Sequence, residues 1–272
     1  MTINCLGRLI DLTSPKVMGI LNVTPNSFYD GGKHSDEKSV LSQVEKMLSD
    51  GATFIDIGAY SSKPSAEFVS EEEETTRIVP IIQLVLKHFP ETLISIDTFR
   101  ASVAKAGIEN GACIINDISA GSLDSKMMQT SAKLQVPYVM MHMKGNPQTM
   151  QSLANYENIT KEMLIYFSEK VALARSFGIN DLIIDPGFGF AKTKDQNFEV
   201  MNNLELLQMF ELPMLVGVSR KSMIYKTLET SADSALNGTT VLNTIALQKG
   251  ANILRVHDVK EAMETIKLVS QL

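Results

Sequence analysis

Short apolar runs alternate along this chain with longer segments in which apolar residues recur at helical spacing. The runs cover residues 17–21, 53–57, 93–96, 113–115, 138–141, 182–184, 214–218 and 252–256. They are apolar on both parities and rich in β-branched residues, as strands of a sheet buried on both faces should be. Between them the pattern predicts helices over 35–50, 71–87, 98–110, 124–134, 159–177, 195–210, 232–248 and 259–271. Several stop at glycine: Gly51, Gly111, Gly178 and Gly250. The helix from Glu71 opens on four consecutive glutamates, which suit the positive end of a helix dipole. Eight strand-helix units, about 34 residues each, favour a closed (β/α)8 TIM barrel over a doubly wound sheet, with one domain spanning 1–272.

Composition narrows the class further. The chain has 272 residues, 44% hydrophobic and 21% charged, which is ordinary for a soluble globular protein. A net charge of −6 gives no general attraction for nucleic acid or an anionic membrane, so an anionic ligand needs a local cluster of positive charge. Cys5 and Cys113 share no spacing motif and read as reduced and structural. No signal peptide or membrane span is expected, and a cytoplasmic location follows as the expectation. No G-x-G-x-x-G follows a strand, and P-loop, H-E-x-x-H and G-x-S-x-G motifs are absent.

In a barrel of this kind chemistry sits at the carboxyl ends of the strands. Here those ends carry Asn22, then Asp56 running into Ser61-Ser62-Lys63-Pro64, Asp97, Asn116-Asp117, His142, Asp185, Ser219-Arg220-Lys221-Ser222, and Arg255 with His257-Asp258. Asp97, Asp117 and Asp258 each suit a helix N-cap, but eight polar or charged ends exceed what capping asks for. Asp97, Asn116 and Asp185 offer acceptors and an amide to a flat heterocycle rich in N–H donors. Lys63, Lys221, Arg255 and His257 offer positive charge to a phosphate or carboxylate. His142 and Met143 either line the pocket or pack beneath a loop.

These residues fall in long motifs: Gly19-Ile-Leu-Asn-Val-Thr-Pro25, Ser95-Ile-Asp-Thr98, Ile115-Asn-Asp117, Asp185-Pro-Gly-Phe-Gly-Phe190 and Val218-Ser-Arg-Lys-Ser222. In them, nearly end to end, the chain resembles the dihydropteroate synthases of the folate pathway. The resemblance implies a transferase that joins 6-hydroxymethyl-7,8-dihydropterin pyrophosphate to p-aminobenzoate, assisted by Mg²⁺, with pyrophosphate leaving before the amine attacks. It puts the pterin on Asp97, Asn116, Asp185 and Lys221. It puts p-aminobenzoate on Phe28, Ser62, Pro64, Phe190, Lys221 and Ser222. Pyrophosphate and metal contacts fall on Asn22, Asp30, Arg255 and His257, with Asn22 and Asp30 toward the metal. It also implies a homodimer, a sulfonamide target and a first loop that closes over the site from its Gly31-Gly32 hinge.

Three positions depart from the family pattern. Ser62 stands where threonine is usual, Lys63 where arginine is usual, and Asn26 where aspartate is usual. Lys63 keeps a charge for the anion but loses the bidentate fork. Two other readings are a pterin-binding methyltransferase barrel and a non-catalytic pterin-binding paralogue. The Ser219-Arg220-Lys221-Ser222 run and the Arg255-x-His257 pair speak against the first, and the retained anion contacts Arg255 and His257 against the second.

Overall fold

The computed structural model describes residues 1–23, 33–60 and 69–272, and of 33–36 the backbone alone. The chain opens with an antiparallel hairpin, β1 (Thr2–Cys5) and β2 (Arg8–Asp11). Eight parallel strands follow: β3 (Lys16–Asn22), β4 (Phe54–Gly58), β5 (Leu93–Asp97), β6 (Ile114–Asp117), β7 (Tyr138–Met141), β8 (Leu182–Asp185), β9 (Leu215–Val216) and β10 (Ile253–Val256). Their order in the sheet is β8-β7-β6-β5-β4-β3-β10-β9. A parallel bridge between Ile184 and Met214 joins the two ends, so the sheet closes into a barrel. The eight predicted strands are the eight observed, shifted by a residue or two at their ends.

Helices surround the barrel: α1 (Lys33–Ser49), α2 (Glu71–His88), α3 (Ala101–Glu109), α4 (Met127–Leu134), α5 (Ile159–Ser176), α6 (Lys194–Asn202), α7 (Ser222–Tyr225), α8 (Leu236–Gln248) and α9 (Val259–Val269). The main core lies between sheet and helices. Val17, Leu21, Ile55, Ile57, Ile94 and Ile96 of the strands face Ile78, Ile81, Ile82 and Val85 of α2 and their neighbours. Each such buried aliphatic side chain stabilises by about 1.5–3 kcal/mol. Among the described residues, side-chain caps fix three starts: Ser70 accepts from Glu73 N, Asn158 from Lys161 N, and Thr193 forms a full capping box with Gln196.

The helix predicted over 195–210 is two pieces, α6 and a 3-10 segment, Leu204–Phe210. Asn203 divides them: its side chain bonds back to Glu199 O and across to Thr160 Oγ1. The helix expected from residue 98 starts at Ala101 instead, because Thr98 and Arg100 spend their side chains on Glu74. The N-terminal hairpin was not anticipated. Ile3, Cys5 and Leu12 pack against Met18, Phe54, Leu93, Cys113 and Ile253 at the amino ends of the strands, closing the bottom of the barrel. Both cysteines are buried and free, as expected. Among the described residues no helix is long and apolar enough to cross a membrane.

Candidate active site

With the bottom plugged, the open end of the barrel is the one that carries the polar strand ends. Arg255 stands at its centre. The side chain leaves β10 and donates from Nε to Asp56 Oδ2 on β4 at 2.6 Å, and from Nη2 to Asp97 Oδ2 on β5 at 2.7 Å. Asn116 on β6 donates from Nδ2 to the same Asp56 Oδ2 at 3.1 Å. Parallel register makes this possible, since Asp97 pairs with both Gly58 and Asn116 across its two neighbours. Burial pushes the Asp97 carboxyl up to about 7, against the pull of Arg255 and with added repulsion from Asp56, Glu74 and Asp117.

A second group sits on the β8 and β9 side. Asp185 closes β8 and accepts from Gly187 N at 2.8 Å. Burial raises its pKa, and Lys221 opposes that rise. Lys221 donates its Nζ to Phe188 O and lies 4.9 Å from the Phe190 ring centroid, within cation-π range. Burial lowers its pKa to about 8, with Asp185 and Asp97 holding it up and Arg255 pushing it down. Phe190 packs against Ile118, Met141, Met143, Met150 and Ala191, an apolar shelf beside the ammonium. Ser222 is the first residue of α7 and half-buried.

At the rim His257 is exposed, its Nδ1 3.0 Å from Ser219 Oγ, which also accepts from His257 N at 3.1 Å. Asn22 ends β3 with its side chain exposed. Among the described residues it makes no side-chain bond to the other site groups. Phe28, Asp30, Ser62, Lys63, Pro64 and Asn26, together with the first loop expected to close, lie outside the described residues.

The capping expectation for three aspartates is replaced by other bonds. Asp97 holds Arg255, and Asp258 holds Arg220 through both oxygens at 2.8 and 2.7 Å. Asp117 is buried and accepts from Ser119 N, Gly121 N and Tyr138 Oη, so it fixes a turn. His142 is the packed histidine of the two alternatives. It is 2% exposed, lies edge-on to Tyr166 at 4.8 Å, and is held uncharged first by burial and then by Lys192. Met143 is buried in the apolar cluster against which Phe190 packs.

Sequence reasoning placed Asp56 at a strand end without a role, and it missed Lys192 and the Glu74–Arg100 pair. An acid inside the apolar run Phe54-Ile55-Asp56-Ile57 was the available signal for the first. The other two had none, because their partners are distant in sequence.

A mouth with carboxylates and an amide on one side and a cation beside an aromatic on the other has counterparts among known proteins. The model of the pterin binding enzyme family matches residues 18–257. The dihydropteroate synthase of Escherichia coli K12 is 41% identical over 265 residues, 97% of this chain and 93% of that protein. The chain belongs to the dihydropteroate synthase family. The synthase of Synechocystis is 42% identical over 94% of this chain and 89% of its own length. Among solved structures, the Yersinia pestis dihydropteroate synthase with a sulfonamide drug superposes at a TM-score of 0.92 with 40% identity, covering 100% of this chain and 98% of that one. The Xanthomonas albilineans dihydropteroate synthase with 4-aminobenzoic acid superposes at 0.91 with 34% identity, covering 99% and 97%. Family membership and barrel therefore agree, and the polar end of the barrel is where a family member's ligands belong.

Proposed function

We propose that this chain condenses 6-hydroxymethyl-7,8-dihydropterin pyrophosphate with p-aminobenzoate, giving 7,8-dihydropteroate and pyrophosphate. The observation that carries the reading is the meeting of two chemically opposite sets at one barrel mouth. Asp97, Asn116 and Asp185 are acceptors spaced along three strands, and Lys221 and Arg255 stand among them. In this reading the acceptors take the N–H edge of the pterin, and the pocket rejects analogues that lack those donors. Arg255 and His257 take the pyrophosphate. Phe190 and the Lys221 ammonium cover the aromatic acid, with Ser222 toward its carboxylate.

The bond between the pterin methylene carbon and the pyrophosphate oxygen breaks first, its electron pair leaving with oxygen. The nearby carboxylates stabilise the cationic methylene. The arylamine nitrogen then bonds to that carbon and releases a proton to solvent. A weakly basic amine attacking a cation needs no strong base, and none is assigned.

Magnesium fits the donors at the rim. Mg²⁺ keeps several waters and binds mainly to substrate phosphates, so it needs few protein ligands. No group of three acid, histidine or cysteine side chains among the described residues is placed to hold a metal ion by itself, and Asn22 presents a hard amide oxygen at the exposed end of β3. Asn22 and Asp30 are the residues that would hold it, and bound there it would meet charge developing on the leaving pyrophosphate.

By analogy with the relatives, Phe28, Ser62, Pro64 and Lys63 are assigned to the p-aminobenzoate and anion sides, and sulfonamides are expected to compete with p-aminobenzoate. A homodimer through the last helices is proposed as well, in keeping with exposed Val241 on α8 and Leu268 on α9. The decisive experiment incubates the protein with both substrates and Mg²⁺ and looks for dihydropteroate by mass. Pterin binding without product would instead favour a non-catalytic member.

A further inference from the structure

Arg255 has two carboxylate partners, and they are not equivalent. The Asp56 side chain is 0% exposed, whereas that of Asp97 is 21% exposed. Asp56 spends one oxygen, Oδ2, on both Arg255 Nε and Asn116 Nδ2. Its other oxygen, Oδ1, is buried with no hydrogen-bond partner among the described residues. Ser95, its register partner on β5, has an unpartnered buried hydroxyl as well. A buried carboxylate with one idle oxygen is a costly arrangement, and a well-packed neutral residue would be cheaper. The charge, not the hydrogen-bond count, accounts for an acid here.

We propose that Asp56 is a positioning residue, the fixed counter-ion that aims Arg255 and tempers its charge, while Asp97 is the exchangeable one. The inference rests on the assignment of Arg255 to the pyrophosphate. Arriving substrate offers Asp97 the N–H donors of a pterin and offers Arg255 Nη2 the oxygens of a phosphate. The Nη2–Asp97 bond is then traded for two new ones. The Nε–Asp56 bond stays, keeping the guanidinium plane in place and holding Asn116 at the pterin edge. With a buried negative charge always beside it, Arg255 binds pyrophosphate firmly enough to promote its departure from carbon, yet lets it leave the enzyme.

Asp56→Asn separates charge from geometry, because one amide oxygen in the place of Oδ2 can accept both existing bonds. Inorganic pyrophosphate should inhibit this variant about tenfold more tightly than the unmodified chain, since a charge next to Arg255 is gone. Turnover should fall by about tenfold as release slows, with KM for p-aminobenzoate kept within about twofold. Binding of 6-hydroxymethylpterin, which carries no phosphate, should stay within about threefold in Asp56→Asn and be lost in Asp97→Asn. Unchanged or weaker inhibition by pyrophosphate in Asp56→Asn overturns the inference, as does loss of 6-hydroxymethylpterin binding in that variant. Arg255→Gln is the control for the underlying assignment. If it is inhibited by pyrophosphate as strongly as the unmodified chain, the assignment of Arg255 fails and the inference with it. If Arg255→Gln loses that inhibition and Asp56→Asn leaves it unchanged, the inference alone fails.

Discussion

Lys192 reaches His142 from the far side of the loop that follows β8, with Nζ 3.0 Å from Nδ1. The same ammonium donates to Gly187 O at 2.8 Å, Phe190 O at 3.0 Å and His142 O at 3.2 Å. Lys221 grips Phe188 O of that loop from the site side. Two lysines thus hold three carbonyls of this loop, those of Gly187, Phe188 and Phe190, and between Phe190 and Lys192 the backbone of Ala191 is left-handed at φ 47°. Lys192 is 4% exposed, and burial lowers its pKa well below the usual ammonium range. Lys192→Met removes all its bonds and strands the carbonyls of His142 and Phe190, while Gly187 O still accepts from Phe190 N at 3.1 Å. The expected cost is about 1–3 kcal/mol of stability for each carbonyl left unpaired, measured by denaturant unfolding. In the folded fraction KM for p-aminobenzoate should rise by about tenfold, because Phe190 moves, while KM for the pterin substrate changes little.

On the proposed assignment of Asp97 to the pterin and Lys221 to the aromatic acid, the pH profile follows from two shifted groups. Asp97 must be ionised to accept pterin N–H donors, and its carboxyl loses its proton at about 7. Lys221 must be charged to serve the anionic acid, and its ammonium loses its proton at about 8. So kcat/KM should rise with pH through about 7 and fall through about 8. For stability the signs differ. The folded Asp97 keeps a proton that the unfolded chain releases from 3.8 upward, so its contribution declines as pH rises to about 7. The unfolded Lys221 keeps a proton up to 10.5 that the folded form releases at about 8, so its contribution rises with pH across that window. Asp97→Asn should lower kcat/KM at every pH, and any activity that remains should show no acid limb.

Which residues stand at the barrel mouth was largely legible, because a parallel barrel puts the carboxyl end of every strand on one side. Asp97, Asn116, Asp185, Lys221 and Arg255 could be read off once the strands were placed. Bonds that cross the barrel could not. Asp56 and Arg255 lie 199 positions apart in sequence, and nothing local signals their ion pair. The hairpin that plugs the bottom was missed for another reason. Its strands are four residues each with exposed Leu9 among them, too short to display a period. The four glutamates of α2 were read as dipole partners, which suits the exposed ones. The fourth, Glu74, is instead 0% exposed.

That fourth glutamate supports the next prediction. Glu74 Oε1 accepts from Thr98 Oγ1 at 2.7 Å, and Arg100 Nη1 pairs with Oε2. Arg100 Nη2 donates to Val69 O at 2.7 Å, and its guanidinium lies 5.3 Å from the Tyr60 ring centroid. Tyr60 and Val69 bracket the segment that contains Ser62 and Pro64. Arg100→Met leaves the Glu74 carboxylate buried beside a thioether and should cost about 3–5 kcal/mol. Glu74→Gln in that background should recover part of it by removing the stranded charge, a non-additivity that unfolding of the two single variants and the double variant would measure. Additive losses would show that the two side chains act separately.

Arg220 sits between Ser219 and Lys221 with a left-handed backbone, φ 54°. A long side chain accepts that conformation at a cost of about 1–3 kcal/mol, and something must hold it there. Arg220 Nε and Nη2 form a fork onto the two oxygens of Asp258, Nη1 donates to Asp233 O at 2.8 Å, and the backbone N–H donates to Thr239 Oγ1 at 3.0 Å. The fork ties the β9 end to the β10 end, so Lys221 and His257 are set relative to each other by a residue whose guanidinium is spent on Asp258 and Asp233. Arg220→Lys keeps the charge but cannot make two parallel bonds. Turnover should fall by about ten- to a hundredfold as Lys221 shifts, with circular dichroism and the unfolding midpoint changed little. Arg220→Gly relieves the backbone strain but removes the tie altogether. It should therefore be no less stable at this turn yet at least as impaired in turnover as Arg220→Lys. If the glycine variant is the more active of the two, the strain, and not the fork, is what matters.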